Sequence, residues 1–81
     1  MDMTGEVQAL CAAPEPFDLA FIDAMIPHHQ SAVMMAQVAL QNGTHQEIKD
    51  LAQAIVDAQQ REIGEMESWR AAWYGGTPVA A

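Results

Sequence analysis

The stretch DLAFIDAMIPHHQSAVMMAQVALQ, residues 18–41, decides how this chain folds. At about 100° per residue, its polar positions, Asp23, Pro27, Gln30, Gln37 and Gln41, gather on one side of a helix. Phe21, Ile22, Met25, Ile26, Ala32, Val33, Met35, Ala36, Ala39 and Leu40 fill more than half of the circumference. A surface helix meeting one neighbour needs an apolar stripe only about 100° wide. A single partner helix would leave part of this arc wet, so two or more packing surfaces are expected. No alternating run survives four residues anywhere in the chain, and a β reading has no support.

Working outward, residues 1–16 form a lead-in. Glu6 to Ala12 suit a short helix, and Pro14 and Pro16 end it. Asp18 is the expected N-cap of the long helix, and Asn42-Gly43 its expected left-handed stop. Thr44-His45-Gln46-Glu47 reads as a capping box for a second helix. That helix runs from about His45 to Trp73 or Tyr74 and stops at Gly75-Gly76. The expectation is all-α: a two-helix antiparallel hairpin over 17–74, a ferritin-like half that pairs into a four-helix bundle, with a flexible tail at 75–81.

Composition fits that incomplete picture. An 81-residue chain makes one small domain. A core that small seldom supplies more than about 3–5 kcal/mol without a disulfide, a metal or a partner chain. Cys11 is the only cysteine, so an internal disulfide is excluded and a homodimer or a metal is expected as the staple. Three Lys and Arg against eleven Asp and Glu, a formal charge of −8, argue against nucleic acid and against an anionic membrane surface. No apolar run approaches the roughly 20 residues that span a bilayer, and Met1–Glu6 has no basic and apolar pattern of a signal peptide.

The chemistry gathers where polar residues interrupt apolar faces. The apolar face of the second helix runs through Ile48, Leu51, Ile55, Met66, Trp69 and Trp73, and both Gln59 and Glu62 project from it. A carboxylate aimed into a core is costly unless it is paired, protonated or coordinating. On the first helix His28 and His29 straddle the apolar face beside Met25. Folding at Gly43 sets residue i roughly opposite residue 87 − i, which brings His28 and His29 to Gln59 and Ala58, and Met25 to Glu62. The expected cluster is Met25, His28, His29, Gln59, Glu62 and Met66.

Within each helix, Met25 with His29 and Glu62 with Met66 have the i, i+4 spacing that shares a face. Imidazole nitrogen with thioether sulfur suits a soft ion, copper or silver, while the His and Glu subset would also take zinc. Pro27 frees the carbonyl of Asp23 and is expected to bend the helix here. A buried His/Gln/Glu hydrogen-bond cluster that sets register in a dimerising structural module is the alternative without a metal. Met25, Met35 and Met66 at helical spacing read as core filler before they read as ligands, because Met packs adaptably, and Met34 reads as outward-facing; Met1 and Met3 offer soft sulfur from the lead-in. No glutamate is followed three residues later by histidine, which thins the di-iron carboxylate reading. No nucleophile has a base beside it, so no enzymatic role is expected.

The run Phe21-Ile22-Asp23-Ala24-Met25-Ile26-Pro27-His28-His29-Gln30-Ser31-Ala32-Val33-Met34-Met35-Ala36 resembles the signature of the DUF305 family. The second helix continues the resemblance through Leu51-Ala52, Ile55, Gln59, Glu62-Ile63, Met66 and Trp69. It implies a ferritin-like helical bundle, copper binding in some relatives, and a periplasmic or secreted setting. It also implies that Met25, His28, His29, Gln59, Glu62 and Met66 inherit any ligand role. Many members of the family carry two copies of the hairpin; this chain carries one.

Overall fold

A computed structural model describes residues 4–12 and 16–75. Met1, Met3, Pro14 and the expected tail beyond Gly75 lie outside the described residues. Three helices and no strand are present among those described: α1 (Thr4–Cys11), α2 (Phe17–Asn42) and α3 (Gln46–Tyr74). The two long helices lie side by side and antiparallel, and α1 packs against α2 alone. The molecule measures 45 × 28 × 17 Å. With α1 touching α2 alone, no third element covers the α2/α3 seam among the described residues, and the pair forms one layer.

Each boundary has a local cause, and several differ from expectation. Asp18 is not the N-cap of α2. Pro16 holds that position with φ −84° and ψ 138°, no side chain caps the helix, and Asp18 sits in the first turn. A carboxylate there favours the positive end of the helix dipole without being the cap. The expected left-handed stop at Gly43 is also absent, because Gly43 is extended at φ −65° and ψ 141°. Glycine is needed there for space: a Cβ at Gly43 would lie 2.7 Å from the Ala39 carbonyl oxygen. That same oxygen accepts the Gly43 amide at 2.8 Å.

The Thr44/Glu47 capping box does not form. His45 is the N-cap of α3 and no side chain caps it. With the cap one residue later than Thr44, the box spacing falls on Ile48, which has no side-chain acceptor. The amides of Ile48 and Lys49 instead bond the His45 carbonyl at 3.1 and 3.3 Å. At the far end Gly75 has φ +75°, the one positive φ among the described residues. Its amide closes on the carbonyls of Arg70 and Ala71, a termination that favours glycine.

The seam between α2 and α3 holds two apolar clusters. Val33, Ala36, Ala52 and Val56 pack near the turn, and Ile22, Ile26 and Met66 near the open end, with Ile63 touching both. His29, 9% exposed, is the buried polar residue among them. No described side chain is sealed completely from solvent, which follows from a single helical layer. Much of the predicted apolar face of α3 stays open: Leu51 is 58% exposed and Trp73 equally so. Met34 faces outward as expected, but Met35 is as exposed as Met34 rather than serving as core filler.

Candidate metal centre

His29 is fixed from both sides of its ring. Its Nδ1 lies 3.0 Å from the carbonyl oxygen of Met25, one turn earlier on α2. A carbonyl only accepts, so Nδ1 carries a hydrogen and donates it. Nε2 lies 2.8 Å from Oε1 of Glu62 on α3. In the neutral ring Nε2 is a lone pair, and an ionised carboxylate only accepts. Two acceptors at that distance require a hydrogen between them, so the pair stands as a hydrogen bond that a metal ion would have to replace. A metal-binding histidine is usually oriented in this way, with its second nitrogen bonded to a carbonyl or carboxylate.

The sulfurs stand beside this pair. Met25, His29, Glu62 and Met66 line one groove of about 570 Å³ on a single face of the helix pair. Met66 is buried, and Met25 packs against the Ile22, Ile26 and Met66 cluster. Glu62 lies at the edge rather than the centre, its side chain 46% exposed and its carboxylate turned in to His29.

Two of the six expected residues lie elsewhere. His28 faces the other side of α2, in a groove with Glu6, Ala9, Leu10, Ala20 and Ala24, mostly against α1. Its Nε2 is buried and has no hydrogen-bond partner. Gln59 does not line the Met25/His29 groove, and its Oε1 is buried without a partner too. Adjacent residues on a helix stand about 100° apart, which is why two consecutive histidines do not serve one groove.

The pairing also differs by about one helical turn from the expected one. His29 meets Glu62 rather than Ala58, and Asp23 meets Arg70. Helical side chains lean toward their own N-terminus, so each covers the level about one residue before its Cα. On antiparallel helices both leans displace the contacts in the same sense, toward higher numbers on α3. The loop, centred on Thr44 rather than Gly43, adds the remainder.

Several features were missed in the sequence. Arg70 Nε donates to Asp23 Oδ1 at 2.7 Å, and Nη1 donates to the Gly75 carbonyl at 3.1 Å, so one side chain joins α2 to the end of α3. The hydrogen bond that Arg70 donates to Asp23 holds the guanidinium pKa above its ordinary value, and the charge of Asp23 adds to this. Asp18, Phe21 and Glu65 line the groove as well. For Glu65 the i+3 spacing from Glu62 was the available signal. Cys11 is exposed and lines none of this groove. Among the described residues no three His, Cys, Asp or Glu side chains gather as a metal would require.

This donor set separates the candidate ions. One imidazole, two thioethers and one carboxylate suit a soft monovalent ion. Structural zinc takes four nitrogen, sulfur or oxygen ligands in a tetrahedron, usually cysteine and histidine, which one chain does not offer here.

Residues 1–81 match the family described as a domain of unknown function, DUF305. The chain belongs to that family. This DUF305 chain is also similar to solved structures of CopM. It is 45% identical to CopM in the Cu(I)-bound form, with a TM-score of 0.75, covering 79% of this chain and 46% of that one. Against CopM in the Ag-bound form obtained by co-crystallisation the identity is 47% and the TM-score 0.75, covering 79% and 47%. Uncharacterized protein L153 of Acanthamoeba polyphaga mimivirus is 39% identical over 51 residues, 63% of this chain and 34% of that protein. The DUF305 chain thus spans under half of CopM and about a third of the viral protein. No helix among the described residues is long and apolar enough to cross a membrane.

Proposed function

We propose that this protein binds a soft metal ion, Cu(I) or Ag(I), and serves as a buffer or carrier for it. The observation that carries the reading is the convergence of His29 Nε2 and Glu62 Oε1 at 2.8 Å, with Nδ1 already committed to the Met25 carbonyl. A metal ion that replaces the bridging hydrogen satisfies both acceptors at once. Met25 and Met66 supply thioether sulfur from the same groove, the ligand type that favours Cu(I). His29 and the two methionines hold the ion, and Glu62 balances its charge or orients the ring. The similarity to CopM, solved with Cu(I), Cu(II) and Ag, supports the choice of ion.

The folding unit in this proposal is the α2/α3 hairpin, which pairs with a second hairpin into a four-helix bundle. The open apolar groove of the single layer supports that pairing. A periplasmic or secreted setting belongs to the same proposal and is supported by the family resemblance.

A second reading has the same hydrogen bond in its favour. His29 and Glu62, sharing one proton, make a polar contact that fixes register in a structural module. Titration of the reduced protein with Cu(I) against a competing chelator separates the two. Binding tighter than micromolar that is lost in His29→Ala supports the metal centre. Weak or absent binding, with His29→Ala lowering stability alone, supports the structural module.

A further inference from the structure

We infer that the indole ring of Trp69 belongs to the metal centre, its π face forming one wall of the site and favouring a soft monovalent ion; this rests on the metal reading proposed above. The two halves of the open α2/α3 face differ in kind. His29 and Glu62 lie near its midpoint. Toward the turn the lining is aliphatic, with Ala32, Ala36, Leu51 and Ile55. Toward the open end it is aromatic, with Phe21, Trp69 and Trp73, and both thioethers, Met25 and Met66, lie in that half.

The observed register orders these groups in layers. With His29 bonded to Glu62, one turn toward the open end sets Met25 opposite Met66, and the two pack in one cluster. A further turn brings Phe21 about level with Trp69, and the next brings Phe17 about level with Trp73. The sulfur layer therefore lies between the polar pair and the aromatic layers. On each helix the successive rings stack, Phe17 on Phe21 with centroids 6.3 Å apart and Trp69 on Trp73 with centroids 5.8 Å apart and planes within 5°. The spacing of the two indoles is close to the rise of one turn, about 5.4 Å, so the rings follow one another along the helix. Trp73 backs the face of Trp69 turned to the C-terminus. Helical side chains lean toward the N-terminus, which carries the other face toward Met66, three residues earlier on the same side. Trp69 stays 44% exposed, so the ring borders the groove and is not sealed into the seam.

An indole face attracts a cation through its quadrupole, more strongly than the other aromatic side chains. It carries no lone pair and keeps water from that side of the site. Cu(I) and Ag(I) are held by soft neutral donors such as thioether sulfur. Zinc calls for four nitrogen, sulfur or oxygen ligands and Cu(II) for a square of nitrogen and oxygen. Beyond His29 and Glu62, such an ion meets thioethers and a π face in this half of the groove. Trp69 thus acts as a specificity residue of the centre.

The test uses the full chain under reductant, with Cu(I) and Ag(I) in parallel, and reads affinity by chelator competition together with tryptophan emission. Trp73→Phe keeps a ring behind Trp69 and leaves Trp69 as the only tryptophan. Its emission is expected to be quenched as the site fills. Trp69→Leu, apolar but without a π system, is expected to bind Cu(I) about 5-fold or more weakly, with Trp69→Phe between it and wild type. Unchanged emission in a Trp73→Phe protein that has taken up the ion overturns the wall and leaves a His/Met centre standing. So do equal affinities in the Leu and Phe variants, which would make bulk rather than the π face the operative property. Should Trp69→Leu lose helix by circular dichroism, the emission and the step from wild type to Trp69→Phe decide: quenching with weaker binding supports the wall, and either one missing overturns it. No uptake of Cu(I) or Ag(I) by the wild type overturns the metal reading and the wall with it.

Discussion

At the scale of single residues, the two neighbouring histidines have different tasks. His29 bridges Met25 and Glu62 within the seam, and His28 points toward α1. His29→Ala is expected to lower Cu(I) affinity by about 10-fold or more, whereas His28→Ala leaves it within about twofold of wild type, both read by chelator competition. Equal losses in the two variants would mean that His28 reaches the ion. The sequence made His29, Met25, Glu62 and Met66 legible, because each interrupts an apolar face or stands one turn from a residue that does. It did not separate His28 from His29, since both flank the same stripe on a helical wheel and α1 has no counterpart on that wheel. Gln59 was drawn in by a pairing displaced by about one turn.

Among the elements, α2 and α3 were readable in type and approximate extent because their apolar periodicity runs for many turns. Their caps were not. Asp18 and Thr44 carry capping side chains, yet the helices begin from the backbone of Pro16 and His45. Glycine at position 43 was found for a reason other than the true one: it avoids the Ala39 carbonyl rather than adopting a left-handed φ. Gly43→Ala is accordingly expected to lose more than about 1 kcal/mol in urea unfolding, because the backbone must move to admit the Cβ. An unchanged midpoint would show that the turn yields freely. Pro27 lies inside a helix that continues unbroken from Phe17 to Asn42. Ser31 Oγ bonds its carbonyl at 3.2 Å, but the Asp23 carbonyl lacks its usual amide. Pro27→Ala should therefore stabilise the chain by up to about 3 kcal/mol in the same measurement. A loss of stability would mean that the proline ring packs in a way an alanine cannot replace.

For the whole molecule, the size deficit implied by 81 residues takes physical form as a layer with one apolar face uncovered. The sequence foretold that face from the width of the α2 stripe, which exceeds what one neighbour covers. It did not show that the polar pair lies at the centre of the face, because that follows from the antiparallel register and the lean of the side chains. The centre of the account is that an imidazole nitrogen and thioether sulfur hold one soft ion. X-ray absorption at the copper edge of the Cu(I)-loaded protein tests this most directly. The account predicts a mixed shell with imidazole nitrogen and sulfur, in which the imidazole contribution is lost in His29→Ala. A shell of nitrogen and oxygen alone, or one unchanged by His29→Ala, would contradict it.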